Sequence, residues 1–151
     1  MSKKGLKTVK ISKEYEAAAK EIILKGFLER FGFIDHSLNP DLNRITETYS
    51  RDGSLFLVGL VGEELVSTGA LSKEGGGACR LQRMSVKKDF RHNGLAKMMV
   101  EKLENHARAE GYTKIILETN AAWESAVGLY KSCGYREYLQ AEGMIHLYKL
   151  I

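Results

Sequence analysis

The spacing of apolar residues changes repeatedly along the chain, and each change marks an element. Residues 8–11 can form a short first strand. Over residues 12–31, Tyr15, Ala18, Ala19, Ile22, Ile23 and Phe27 keep helical spacing, with Ser12 placed as an N-cap. Asn39-Pro40-Asp41 reads as the cap and first turn of a second, shorter helix, which carries Leu42, Ile45 and Tyr49 inward and stops near Gly53. The loop between the two, residues 32–38, offers Phe33, Ile34 and His36 to a pocket.

Strands are then predicted over residues 54–60, 65–71 and 78–86, joined by a tight turn at Gly62-Glu63 and a glycine turn at Gly75-Gly76-Gly77. That is an antiparallel meander. Afterwards helix and strand alternate. Residues 95–110 place Leu95, Met98, Met99, Leu103 and Ala107 on one helical face, put Glu104 and Arg108 on the other as an i,i+4 pair, and end at Gly111. Residues 114–118 read as a buried strand, parallel to its neighbour because a helix makes the crossover. A last helix over residues 121–132 runs up to Gly134, and two strands close the chain at 135–140 and 144–150. The predicted class is α/β with a mixed sheet, in the order β-α-α-β-β-β-α-β-α-β-β. No repeat, low-complexity tract or internal boundary interrupts it, so residues 1–151 are expected to form a single domain.

Composition narrows the classes of function. The chain is 44% hydrophobic and 28% charged, with one proline and a net charge of +4. This suits a soluble domain with an acidic ligand. Its Lys and Arg residues are dispersed rather than clustered among aromatics, which argues against nucleic acid. No stretch approaches the roughly 20 apolar residues of a membrane span, and residues 1–10 lack the apolar core of a secretory signal, so a cytoplasmic location is expected. Cys79 and Cys133 lie far apart without CxxC spacing, and the histidines His36, His92, His106 and His146 form no ligand motif. No metal is expected, and both cysteines read as buried apolar residues.

The chemistry concentrates in Arg91-His92-Asn93-Gly94-Leu95-Ala96, between a strand and an amphipathic helix. Such a turn is an anion site. The first backbone N–H groups of a helix have no intrahelical partner, the dipole adds partial positive charge, and a glycine lets a phosphate come close. The dinucleotide fingerprint needs three glycines, and the Walker loop needs Gly-Lys-Ser/Thr; neither is present. A pyrophosphate cradle of another kind remains.

Arg91-x-x-Gly94-x-Ala96 after Met84-Ser85-Val86, followed by Ala126-x-x-Leu129-Tyr130-x-x-x-Gly134-Tyr135, resembles the GNAT superfamily of acyl-CoA-dependent N-acyltransferases. The resemblance is densest over residues 81–135. It implies a GNAT-like fold with a splayed central sheet and acetyl-CoA as cosubstrate. By that resemblance, the backbone of Met84, Ser85 and Val86 holds the pantetheine arm, and the turn of Arg91, His92, Asn93, Gly94, Leu95 and Ala96 holds the pyrophosphate. A backbone donor aimed at the acyl carbonyl stabilises the charge that develops on its oxygen.

Tyr130 matches the family position that protonates the departing thiolate, and it would equally well pack a core. An amine acceptor also needs a base, since it is largely protonated at neutral pH. Glu118, at the end of the predicted parallel strand, is the first candidate, against the plainer reading that it solvates a strand end. Glu64, Glu47 and His36 are alternatives. Where many family members carry a pantetheine-contacting Asn, this chain has Trp123, which could wall the acceptor pocket; Asn120 lies one turn earlier. Lys88 and Ala96 replace a frequent Pro and Gly. Of the charged groups near the turn, Arg91 is expected to bind phosphate through its side chain as well as its backbone, with Lys97 and His92 close enough to contribute.

Two functions are compatible with these residues. One is acetyl transfer to a primary amine by direct attack in a ternary complex, Cys133 leaving a covalent route open. The other is a non-catalytic CoA-binding module. A small-molecule amine is expected as acceptor before a protein, and pairing through the strand at 144–150 would allow a homodimer.

Overall fold

The fold is that of a computed structural model in which residues 5–32 and 39–151 are described. Phe33, Ile34 and His36 lie outside them. The elements follow the predicted order: β1 (Leu6–Lys10), α1 (Glu16–Phe31), α2 (Ile45–Thr48), β2 (Leu55–Val61), β3 (Glu64–Gly75), β4 (Ala78–Val86), α3 (Leu95–Ala109), β5 (Lys114–Asn120), α4 (Glu124–Ser132), β6 (Arg136–Ala141) and β7 (Met144–Leu150).

The strands form one seven-stranded sheet in the order β1-β2-β3-β4-β5-β7-β6. All neighbours are antiparallel except β4 and β5, as the helical crossover requires. Alternation along β2 and β3 sends side chains into two cores. Leu57 and Leu71 join Met99, Val100, Leu103 and Ala107 of α3, while Phe56, Val58 and Ala70 join Ala19, Ile22 and Ile23 of α1 with Leu42 and Ile45. Gly69 allows the close approach of α3, because a Cβ there would lie 2.6 Å from Met99 Cγ and 2.8 Å from Leu103 Cδ1.

The centre of the sheet opens. β4 and β5 pair only through Ala78, Cys79 and Arg80 against Lys114, Ile115 and Ile116. Beyond Arg80 the two strands separate. A bulge between Gln82 and Ser85 bends β4 at this point, with Arg83 at φ 58° and its carbonyl accepting a 2.7 Å bond from the buried Thr68 hydroxyl. The splayed sheet expected from the family resemblance is therefore present, with a bulge beside the opening.

Several local expectations change. The second helix breaks in two: a 3₁₀ turn over Pro40–Asn43, then α2, separated by Arg44 at φ −147°, ψ 58°. Leu42, Ile45 and Tyr49 are nevertheless buried. Ser12 stands before a 3₁₀ turn and makes no capping bond. β1 starts two residues earlier than expected, β3 runs on to Gly75, and α4 begins only at Glu124. The Glu104–Arg108 pair does not form. Glu104 is buried, accepting from the Tyr135 hydroxyl at 2.9 Å and from Lys149 Nζ at 3.0 Å, so it faces the core, and Arg108 reaches Asn105 instead. β7 has both edges paired, and the open edge on that side is β6.

Candidate active site

The wedge between β4 and β5 is a cavity of about 610 Å³. Its walls come from α1, the C-terminal half of β4, the turn before α3, the end of β5 and the face of α4. Met84, Ser85, Val86, Arg91, His92, Gly94, Leu95, Ala96, Glu118 and Tyr130 all line it. Asn93 does not. Its side-chain amide donates to the carbonyls of Arg91 at 3.1 Å and Phe90 at 3.4 Å, so it braces the turn from within.

Gly94 caps α3 in the left-handed region at φ 78°, and no side chain bonds the helix's first N–H groups. The first intrahelical bond runs from Met98 N–H to the Gly94 carbonyl at 3.1 Å. The donors of Leu95, Ala96 and Lys97 are thereby left to the cavity that all three residues line. Along β4, Lys87 N–H goes to the Val66 carbonyl at 2.8 Å. Strand alternation then turns the N–H of Val86, and two residues back that of Met84, towards the side without a partner strand.

Residues 18–135 match the profile of the Acetyltransferase (GNAT) family. The chain belongs to the GNAT family. It is similar to N-acetyltransferase 8B of Homo sapiens, 34% identical over 111 residues that cover 70% of this chain and 49% of that protein. It is also similar to the N-acetylaspartate synthetase of Danio rerio, 31% identical over 112 residues, 73% of this chain and 40% of that protein. The chain thus spans about half the length of the curated relatives it matches. Among solved structures it resembles a GNAT-family acetyltransferase of Staphylococcus aureus, with a TM-score of 0.88 at 22% identity over 96% of this chain and 98% of that one. The PaiA N-acetyltransferase of Thermoplasma acidophilum in complex with coenzyme A gives 0.83 at 16% identity, over 97% and 99%. These likenesses concern the fold.

Within this GNAT wedge, Tyr130 is 7% exposed, and burial pushes its phenol above the ordinary value, with the Arg30 cation opposing. Its ring packs edge-on against Tyr135, with centroids 6.0 Å apart. Glu118 has two unlike oxygens. Oε1 is bonded by Arg80, which also holds Glu74. Oε2 is buried and has no hydrogen-bond partner among the described residues.

The Arg91 side chain, expected at the phosphates, is engaged within the chain. Its guanidinium donates to both oxygens of Glu29 on α1, at 2.7 and 3.0 Å, and its Nε to the Val86 carbonyl at 2.9 Å. That pairing holds the Glu29 carboxyl below its ordinary value. An ion pair across 62 residues leaves no local signal in the sequence, and the Arg91 backbone N–H is itself bonded to the Lys88 carbonyl at 3.3 Å.

Trp123 lines the cavity, and Asn120 is spent on the backbone N–H of Ala122 at 2.9 Å. Glu64 pairs with Lys87, and Glu47 lies beside Arg44; neither lines the wedge. Cys133 ends α4 outside the cavity, half-buried, and burial pushes its thiol above the ordinary value, which weakens it as a nucleophile. Sequence reasoning missed Arg30, Phe27 and Ser125, which also line the wedge. Among the described residues, no group of three or more His, Cys, Asp or Glu could hold a metal, and no helix is long and apolar enough to cross a membrane.

Proposed function

We propose that this GNAT-family chain is an N-acetyltransferase that moves acetyl from acetyl-CoA to a primary amine on a small molecule, by direct attack in a ternary complex. The observation that carries the reading is the convergence of four parts on one wedge: open α3 donors, an unpaired β4 edge, a buried phenol and a carboxylate with one free oxygen. The fit to coenzyme A is a fit of donors. The α3 terminus, with its dipole and small Ala96, suits a pyrophosphate, and the β4 edge suits an amide-bearing pantetheine arm. Bound acetyl-CoA supplies an activated thioester acyl group.

The remaining roles belong to the chain. Met84, Ser85 and Val86 offer backbone groups to the arm and to the acyl oxygen. Glu118 takes a proton from the acceptor ammonium at Oε2, while Arg80 holds Oε1. Tyr130 keeps its proton until a thiolate leaves, then donates it; a cavity that penalises phenolate penalises thiolate in the same way. A cytoplasmic location accompanies this reading, with Cys79 and Cys133 both free.

Calorimetry with acetyl-CoA and CoA tests it, followed by release of free thiol in the presence of amines. Binding in the micromolar range that Gly94→Asp abolishes, and amine-dependent thiol release, are the expected results. Absence of binding to either ligand overturns the reading. Binding without thiol release for any amine supports the alternative of a non-catalytic CoA-binding module.

A further inference from the structure

Four arginines line the wedge, and their charges are met unequally. Arg80 is held by Glu74 and Glu118. Arg83 donates to both oxygens of Asp41, at 3.0 and 2.7 Å, and Arg91 to both oxygens of Glu29. Arg30 differs. It has no hydrogen bond or ion pair among the described residues, and its guanidinium lies 4.2 Å from the centre of the Trp123 ring. Trp123 packs in turn on Phe31, with centroids 5.3 Å apart, so the end of α1 meets the start of α4 across the wedge.

The cation–π contact consumes none of the guanidinium's five N–H donors in hydrogen bonds, and a planar fork of such donors suits a carboxylate bidentately. Arg30 is exposed at the rim of the wedge; partial desolvation lowers its pKa, the Arg91 cation adds to that, and Tyr130 and Glu29 oppose it. The same cavity holds a complementary acceptor for a cation, since Oε2 of Glu118, whose Oε1 is held by Arg80, is buried without a hydrogen-bond partner among the described residues. A carboxylate oxygen and a guanidinium without ion-pair partners among the described residues thus line one cavity, and an acceptor carrying both an ammonium and a carboxylate complements the two.

We propose that Arg30, in cation–π contact with Trp123, is the acceptor's anion subsite, so that the acceptor is an amine bearing a carboxylate, as in an α-amino acid. Its amine half rests on the acetyltransferase reading; its carboxylate half rests on Arg30. The other anion that could reach Arg30 is a phosphate of the cofactor, because Arg91 of the phosphate turn lies close enough to act on it, and the cofactor-affinity arm of the test separates the two.

The test is calorimetry on protein saturated with CoA, titrating a panel of amino acids, leucine included, against their methyl esters. The esters keep the amine and mask the carboxylate. Wild type is expected to bind at least one amino acid about tenfold or more tighter than its ester, by a bidentate charge-assisted contact. Arg30→Gln is expected to abolish that preference while CoA affinity stays within about twofold, and Arg30→Lys to restore part of it. Equal binding of acids and esters to wild type overturns the proposal, as does a preference that survives in Arg30→Gln. A large loss of CoA affinity in Arg30→Gln with the preference intact assigns Arg30 to the cofactor and also overturns it. Carboxylate preference without thiol release from acetyl-CoA sustains the subsite and sinks the transfer reading, so the two can fail separately.

Discussion

Tyr130 gives the residue scale its sharpest test, because the family position and ordinary core packing both account for it. A phenol that donates a proton is worth about 10²–10⁴ in rate. Tyr130→Phe is therefore expected to lower kcat within that range while leaving CoA affinity unchanged, measured with chemistry rate-limiting; unchanged turnover would assign Tyr130 to packing alone. Cys79 illustrates the opposite case, a group that burial silences. It is fully buried and its thiol is pushed up to about 11, so alkylation near neutral pH should be negligible until the protein unfolds. At this scale the sequence revealed residues with a motif around them, such as Gly94 and Tyr130. It did not reveal residues defined by a distant partner: Glu29 beneath Arg91, or Arg30 on Trp123.

Elements were legible where period and punctuation agreed. The amphipathic α3 behind Gly94 and the β2 to β4 meander lie where alternation and glycines put them. The second helix was not legible as a broken one, because Leu42, Ile45 and Tyr49 are buried from a 3₁₀ turn and a single α turn as well as from a continuous helix. The bulge at Arg83 was likewise hidden, since no glycine marks it. Gly94 connects element to function. In the left-handed region, a side chain costs roughly 1–2 kcal/mol. Gly94→Ala should lower stability by about that amount and weaken CoA binding together, whereas Ala96→Gly, on the helix proper, should cost about 1 kcal/mol of stability. Chemical denaturation and calorimetry on the two variants separate these effects.

Across the whole molecule, Glu104, Tyr135 and Lys149 tie α3, the turn after α4 and β7 into one largely buried polar cluster, and Lys149 Nζ also reaches the Cys133 carbonyl at 2.8 Å. Helical spacing put Glu104 on the solvent side; a lysine 45 residues away and a tyrosine made its burial tolerable. Lys149→Met leaves the carboxylate buried with one partner and should destabilise the domain by about 3 kcal/mol in urea titration. Alkaline pH acts on the same interior. Burial, then the Asp41 charge, pushes Tyr49 up to about 12, and Tyr130 and Tyr135 are also raised. The folded state keeps these protons while the unfolded chain loses them near 10, so stability is full below pH 10 and falls as pH rises towards 12. Melting temperatures across that window should fall less steeply for Tyr49→Phe. The parting of β4 from β5 after three paired residues has a colloidal consequence as well. It places a raw strand edge, the kind that recruits foreign chains into fibres, in the middle of a sheet rather than at its border. Whatever fills the wedge is then a plug against self-association, and protein heated with CoA should scatter less light than protein heated alone.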